Sequence, residues 1–180
     1  MNRYTFRVCD PTHGRDAVVD LLFALREELM LPDRPTAAKV ADRCFENGGV
    51  LGAYDQGRLV GMCGFFYGEP DREFRNKEVA FMYVAGILPA YRLSRVFRQG
   101  LIHTLQEFKR SGRCEIRLQA RTTDPYTNRL YSRFATRLGE GKSLLGRSVT
   151  TYGGSIDDAL TYLRHGLRRA SRRTTLAAHA

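Results

Sequence analysis

No stretch of the chain approaches the roughly 18 consecutive apolar residues that a membrane-spanning helix needs, which argues against a helical membrane protein. Met1 to Asp10 is a polar–apolar alternation without the apolar core of a signal peptide, so a cytoplasmic location is expected. None of the four cysteines, Cys9, Cys44, Cys63 and Cys114, forms a C-x-x-C pair. The histidines, His13, His103, His165 and His179, show no metal-ligand spacing. No metal is therefore expected, and the cysteines read as buried free thiols of a reducing compartment. Lysine is scarce: Lys39, Lys77, Lys109 and Lys142 are the only ones. Internal repeats and linkers are lacking too.

What is present fits one domain over residues 1–170 and a basic tail over 171–180. The 180 residues are 43% apolar and include 10 Phe and 9 Tyr, enough for a core that needs no staples. The formal charge of +10 is mostly arginine. Such a balance suits anionic partners: a phosphorylated cofactor, an acidic carrier protein or nucleic acid. Part of the excess lies in Arg164, Arg168, Arg169, Arg172 and Arg173. That stretch has no interleaved aromatics beyond Tyr162, which argues against stacking on bases.

Alternation of Tyr, Phe and Val from Tyr4 to Cys9 predicts a first strand. Val18, Val19, Leu21, Leu22, Leu25 and Leu29 keep helical spacing over Asp16 to Leu29. Asp33, with Pro35 in the first turn, predicts a second helix to Asn47, ended by Gly48-Gly49. Val50–Tyr54 and Leu59–Tyr67 flank the hairpin signal Asp55-Gln56-Gly57-Arg58. A polar loop, Gly68 to Lys77, precedes a nearly all-apolar strand from Glu78 to Leu88, as a central strand would be. Gly86 within it signals a bulge or a close backbone approach. A long helix is predicted over Ser94–Arg110 and a short strand over Glu115–Gln119. Asp124 and Pro125 start a helix carrying Leu130, Tyr131, Phe134 and Leu138. Ser143–Tyr152 reads as a strand, broken at Gly146. Ser155 with Asp158 opens a last helix on Leu160, Leu163 and Leu167. The predicted class is α+β: a mixed, mostly antiparallel sheet flanked by helices, in the order β-α-α-β-β-β-α-β-α-β plus a C-terminal helix.

The stretch Ile87-Leu88-Pro89-Ala90-Tyr91-Arg92 leads into that long helix. An interrupted strand leaves backbone groups unpaired, and a helix start adds N–H donors and partial positive charge. Together they suit a pyrophosphate. Arg92, Arg95 and Arg98, three apart, can crowd the first turn.

Here the chain resembles the GNAT superfamily of acyl-CoA-dependent N-acyltransferases. The element order is similar from Tyr4 to about Tyr152. Ile87-x-Pro89-x-x-Arg92 resembles the V-x-P-x-x-R lead into that family's cofactor loop. Asp124 to Ala135 resembles its later N-x-x-A-x-x-L-Y-x-x-x-G helix, with Leu130-Tyr131 in the L-Y place. The resemblance implies transfer of an acyl group, foremost acetyl, from acetyl-CoA or another acyl-CoA to an amine of a small molecule or peptide. It implies that Ile87 and Leu88 face the pantetheine arm, that Leu93, Ser94, Arg95, Val96 and Phe97, behind Arg92, cradle the pyrophosphate, and that Tyr131 protonates the departing thiolate. A homodimer is an accompanying expectation.

The chain departs from the pattern where R-G-x-G-x-G or R-G-x-G-x-A is usual. Arg92-Leu93-Ser94-Arg95-Val96-Phe97 has no glycine, and a Cβ obstructs close approach of backbone to phosphate. Three outcomes stay open: CoA held through arginine side chains, an acyl carrier protein as donor, or a non-catalytic binding module. The stretch that commonly holds a carboxylate base, Phe81 to Gly86, has none. Glu78, Tyr83, Glu27 and Glu28 are the remaining candidates. Gly139-Glu140-Gly141-Lys142-Ser143 imitates the end of a phosphate loop, but Thr136 stands where the first glycine belongs, and a helix before and a strand after reverse the required context.

Overall fold

The computed structural model describes residues 3–92 and 94–165. The tail over 171–180 and Leu167 lie outside the described residues. Seven strands form one sheet in the order β1-β2-β3-β4-β5-β7-β6: β1 (Tyr4–Val8), β2 (Gly48–Asp55), β3 (Arg58–Tyr67), β4 (Val79–Ile87), β5 (Glu115–Arg121), β6 (Thr136–Lys142) and β7 (Ser148–Ser155). Every neighbouring pair is antiparallel except β4 and β5. That pair is joined through a crossover helix, as parallel strands require. The predicted mixed, mostly antiparallel class is thus the observed one.

Helices α1 (Pro11–Ala24), α2 (Arg26–Leu29) and α3 (Arg34–Asn47) cover one face. Their Val18, Leu22, Val40 and Cys44 pack with Val50, Phe66, Phe81 and Val84 of the sheet. On the other face lie α4 (Val96–Arg110), α5 (Pro125–Tyr131) and a last helix, α6, described over 156–165. Leu101, Leu105 and Phe108 of α4 pack there with Phe65, Ile116, Leu118 and Leu160. Among the described residues, no helix is long and apolar enough to cross a membrane.

Three boundaries differ from the sequence reading, each for a physical reason. Helix α1 begins at Pro11, because the Asp10 carboxylate caps the N–H groups of Thr12 and His13. It ends at Ala24; Leu25 leaves helical geometry, and α2 follows as a separate turn closed by Met30 at φ 55. Gly48 and Gly49 do not merely stop α3 but open β2. A Cβ on Gly48 would stand 2.3 Å from the Phe65 carbonyl oxygen, so the close pairing of β2 with β3 needs glycine there.

The largest difference follows α5. The helix expected to run to Leu138 stops at Tyr131, and Thr136–Lys142 is strand β6. Leu138 falls by coincidence seven residues after Tyr131, in helical register, yet it stands on β6 and is 55% exposed. The strand expected over Ser143–Tyr152, broken at Gly146, is accordingly the turn between β6 and β7, with Gly146 at φ 75, followed by the first residues of β7. The imitation of a phosphate loop lies on β6 and the start of this hairpin. The cysteines are free, but Cys114 is exposed, contrary to the expectation that all four are buried.

Candidate functional site

The site arises from an irregularity in β4. Gly64 of β3 faces Val84, and its neighbour Phe65 faces Met82, so Tyr83 is an extra residue without a partner. This is a bulge, and a bulge bends its strand. Pairing with β5 runs from Val79–Glu115 to Met82–Leu118 and stops there, at the bulge. Beyond it the two strands part. Gly86, the other bulge candidate, serves close approach instead: a Cβ there would meet Leu25 Cδ1 at 2.6 Å.

The parted strands leave backbone groups free. The Leu88 N–H donates to the Val60 carbonyl at 2.9 Å on the β3 side. Alternation along a strand turns the N–H and C=O of Ala85 and Ile87 the opposite way, into the gap. Arg92 Nε donates to the Ile87 carbonyl at 3.4 Å from that side.

A cavity of about 610 Å³ fills the gap and passes through the sheet. Ser94, Val96, Phe97 and Arg98 of the α4 start, with Tyr126, Thr127 and Tyr131 of α5, line it from one face. Glu28, Leu29, Tyr83 and the hairpin residues Leu145 and Arg147 also line it. Leu145 and Tyr83 pack with the α1–α3 cluster, which places them on the other face. Cys63 and Thr104 lie in the lining as well. Burial pushes the Cys63 thiol up to about 12, against a smaller opposing effect of the Thr104 hydroxyl. The thiol therefore stays protonated at neutral pH and is not a nucleophile.

Of the residues expected to hold a cofactor, Ile87, Arg92, Ser94, Val96 and Phe97 line this cavity; Leu88 and Arg95 do not, and Leu93 lies outside the described residues. The arginines do not crowd one turn. Arg92 pairs with Glu28, Arg98 donates to the Leu163 carbonyl, and Arg95 is exposed. The Ser94 hydroxyl accepts from the Val96 N–H at 3.2 Å and donates to the Tyr91 carbonyl at 2.5 Å. One donor of the α4 start is thus already satisfied from within. Phe97 is 37% exposed at the opening.

Tyr131 is buried at the end of α5, edge-on to Phe134 and Tyr152. Asp124 caps α5 through the N–H groups of Tyr126 and Thr127 and the Thr127 hydroxyl, which sets the helix on the cavity wall. Burial, then the nearness of Cys63 and Asp124, pushes the Tyr131 hydroxyl well above its ordinary 10.0. Among the base candidates, Glu28 and Tyr83 line the cavity, while Glu27 and Glu78 do not. Burial pushes the Tyr83 phenol up, which keeps it protonated. Arg121 and Arg147, which sequence reasoning did not single out, also reach the cavity. Among the described residues, no group of three His, Cys, Asp or Glu side chains could hold a metal ion.

No protein-family model and no curated protein matches this sequence. Solved structures do resemble the fold. An acetyltransferase of the GNAT family from Streptococcus pneumoniae superposes with a TM-score of 0.60 at 16% identity, over 85% of this chain and 99% of its own. The ribosomal-protein-S18-alanine N-acetyltransferase of Escherichia coli gives 0.62 at 15% identity, over 85% and 94%. The ribosomal L7/L12 acetyltransferase RimL, solved in complex with coenzyme A, gives 0.65 at 14% identity, over 88% and 97%. The chain has the GNAT fold.

Proposed function

We propose that this chain is an N-acyltransferase that moves an acyl group, foremost acetyl, from a coenzyme A thioester to an amine. The observation that carries the reading is the parting of β4 from β5 beside the α4 start. A pantetheine arm is a strand-like, amide-bearing chain, and the N–H and C=O of Ala85 with the N–H of Ile87 are an edge on which it can pair. Amine acceptors are in keeping with the solved neighbours, whose names specify a ribosomal-protein alanine and an aminoglycoside.

The chemistry follows from placement. The amine nitrogen attacks the thioester carbonyl, a C–N bond forms and the C–S bond breaks. A backbone N–H of β4 would polarise the carbonyl oxygen, and positioning supplies most of the rate. Neither lining carboxylate is free to act as base, because Glu28 pairs with Arg92 and Asp124 caps α5. The amine therefore arrives neutral and its surplus proton passes to solvent. Tyr131 keeps its own proton and donates a hydrogen bond to the sulfur as negative charge collects there.

A second donor has a specific observation in its favour. With Arg92 tied to Glu28 and the Val96 N–H taken by Ser94, the pyrophosphate seat is partly filled from within. The exposed Arg95 suits the acidic surface of an acyl carrier protein, which would present pantetheine without a free nucleotide. Thermal unfolding separates the two. Acetyl-CoA at about 100 times its Kd should raise Tm by about 5–10 °C for a domain of this size. A shift with acetylated carrier protein but with no acyl-CoA would transfer the reading to the carrier. No shift with either would leave a non-catalytic binding module.

A further inference from the structure

The cavity carries more positive charge than its own carboxylates answer, and the excess is on the face away from α4. Arg147 follows the β6–β7 turn, and its Nη2 is buried without a hydrogen-bond partner. Arg121 ends β5 opposite Val149, which follows Arg147 by two residues at the start of β7. In β5, Ile116, Leu118 and Ala120 face the α4 cluster, so Arg121 projects to the other face, the one Leu145 and Tyr83 occupy.

Among the described residues, no carboxylate forms an ion pair with Arg147. Tyr83 of β4 brings a protonated phenol, and Arg43 of α3 beside it is a further cation. From α2, Glu28 is taken by Arg92; from α5, Asp124 caps its helix and its charge is felt by Arg121, not by Arg147. Burial, and next the charge of Arg121, destabilise the Arg147 guanidinium. A buried, unpaired guanidinium nitrogen is costly unless a ligand supplies the acceptor. A carboxylate matches the planar fork in charge and shape.

Resting on the acyltransfer reading above, we propose that the acceptor is an amino acid: its carboxylate is held by Arg147 with Arg121 beside it, and its amine enters the gap between β4 and β5. The geometry is consistent in direction. The donor comes from the α4–α5 face, the acceptor from the α1–α3 face, and the two meet where the sheet is open.

The test uses the full chain, wild type and two variants, Arg147→Gln and Arg147→Lys. Each is given the twenty amino acids, the decarboxylated amines phenethylamine, isoamylamine and histamine, and O-phosphoethanolamine. Amine binding is read by thermal shift, and acyl transfer by thiol release from acetyl-CoA. At least one amino acid should raise Tm in wild type, its decarboxylated counterpart should not, and Arg147→Gln should weaken that binding at least about 10²-fold, because a site built for a polar group rejects the analogue lacking it. Arg147→Lys should recover part of the affinity. With transfer active, KM for the amino acid rises in Arg147→Gln while kcat is held. Equal shifts by amino acids and plain amines, no shift by any amino acid, or protection by O-phosphoethanolamine alone would each overturn the carboxylate assignment. Amino-acid binding lost in Arg147→Gln but without thiol release would uphold the subsite and instead sink the acyltransfer reading on which the role of acceptor rests.

Discussion

Tyr131→Phe is expected to lower kcat by about 10²- to 10³-fold, the usual cost of losing one hydrogen-bond donor aimed at developing charge. Donor affinity should hardly change, because the hydroxyl is needed only when the C–S bond breaks, whereas the ring, buried against Phe134 and Tyr152, is kept in phenylalanine. The pH dependence gives an independent check. Tyr131 titrates above its ordinary 10.0, so it remains a donor across the neutral range and contributes no alkaline limb to kcat below pH 10. The same shift has a sign for stability. Above pH 10 the unfolded chain releases this proton while the folded chain holds it, so stability falls as pH rises there, and Tyr131→Phe removes that slope. Steady-state kinetics with acetyl-CoA, or with the acylated carrier if that is the donor, decide the matter. An unchanged kcat would leave Tyr131 as a core aromatic only.

How much of this site can be read from sequence depends on whether its cause is local. The turn after β4 and the Asp124 cap of α5 are set by neighbours in the chain, and they are legible. The hairpin at Gln56-Gly57 is legible for the same reason, both residues adopting positive φ. The bulge at Tyr83 is not. It is a mismatch of register between β3 and β4, and nothing in the apolar run Val79–Ile87 marks it. Gly86 draws attention instead, although its role is to admit Leu25. Arg121 and Arg147 escape notice because only the pairing of β5 with β7 brings them near each other. Among 29 basic residues, the two that reach the cavity from this face look no different from those on the surface. The β6 strand is missed because Leu138 happens to satisfy a helical spacing that Tyr131 and Phe134 had begun.

Phe108→Ala is the largest stability loss expected of a single change at the α4 anchor, about 3–5 kcal/mol. Phe108 is fully buried and meets Phe65 edge-to-face, with ring centroids 4.8 Å apart. Phe65 lies on β3, so this contact pins the C-terminal half of α4 to the sheet across the face that Leu105 and Ile116 also fill. Against a total of about 5–15 kcal/mol for an ordinary domain, such a loss leaves a marginal fold. The consequence reaches the site because α4 is one continuous helix. Its first residues, Val96 to Arg98, line the cavity at one end, and Phe108 holds it at the other. A loosened anchor should thus weaken donor binding as well as stability, although Phe108 is absent from the cavity wall. Leu22→Ala, on α1 in the opposite cluster, is a control: Leu22 is fully buried but sits on a different helix and away from the cavity wall. Urea unfolding and donor titration of both variants test the coupling. A Phe108→Ala protein that loses stability but binds the donor as wild type does would show that α4 keeps its place without the aromatic pair. A double-mutant cycle with Phe65→Ala should return a coupling of about 0.5–1.5 kcal/mol for the pair beyond the area each buries.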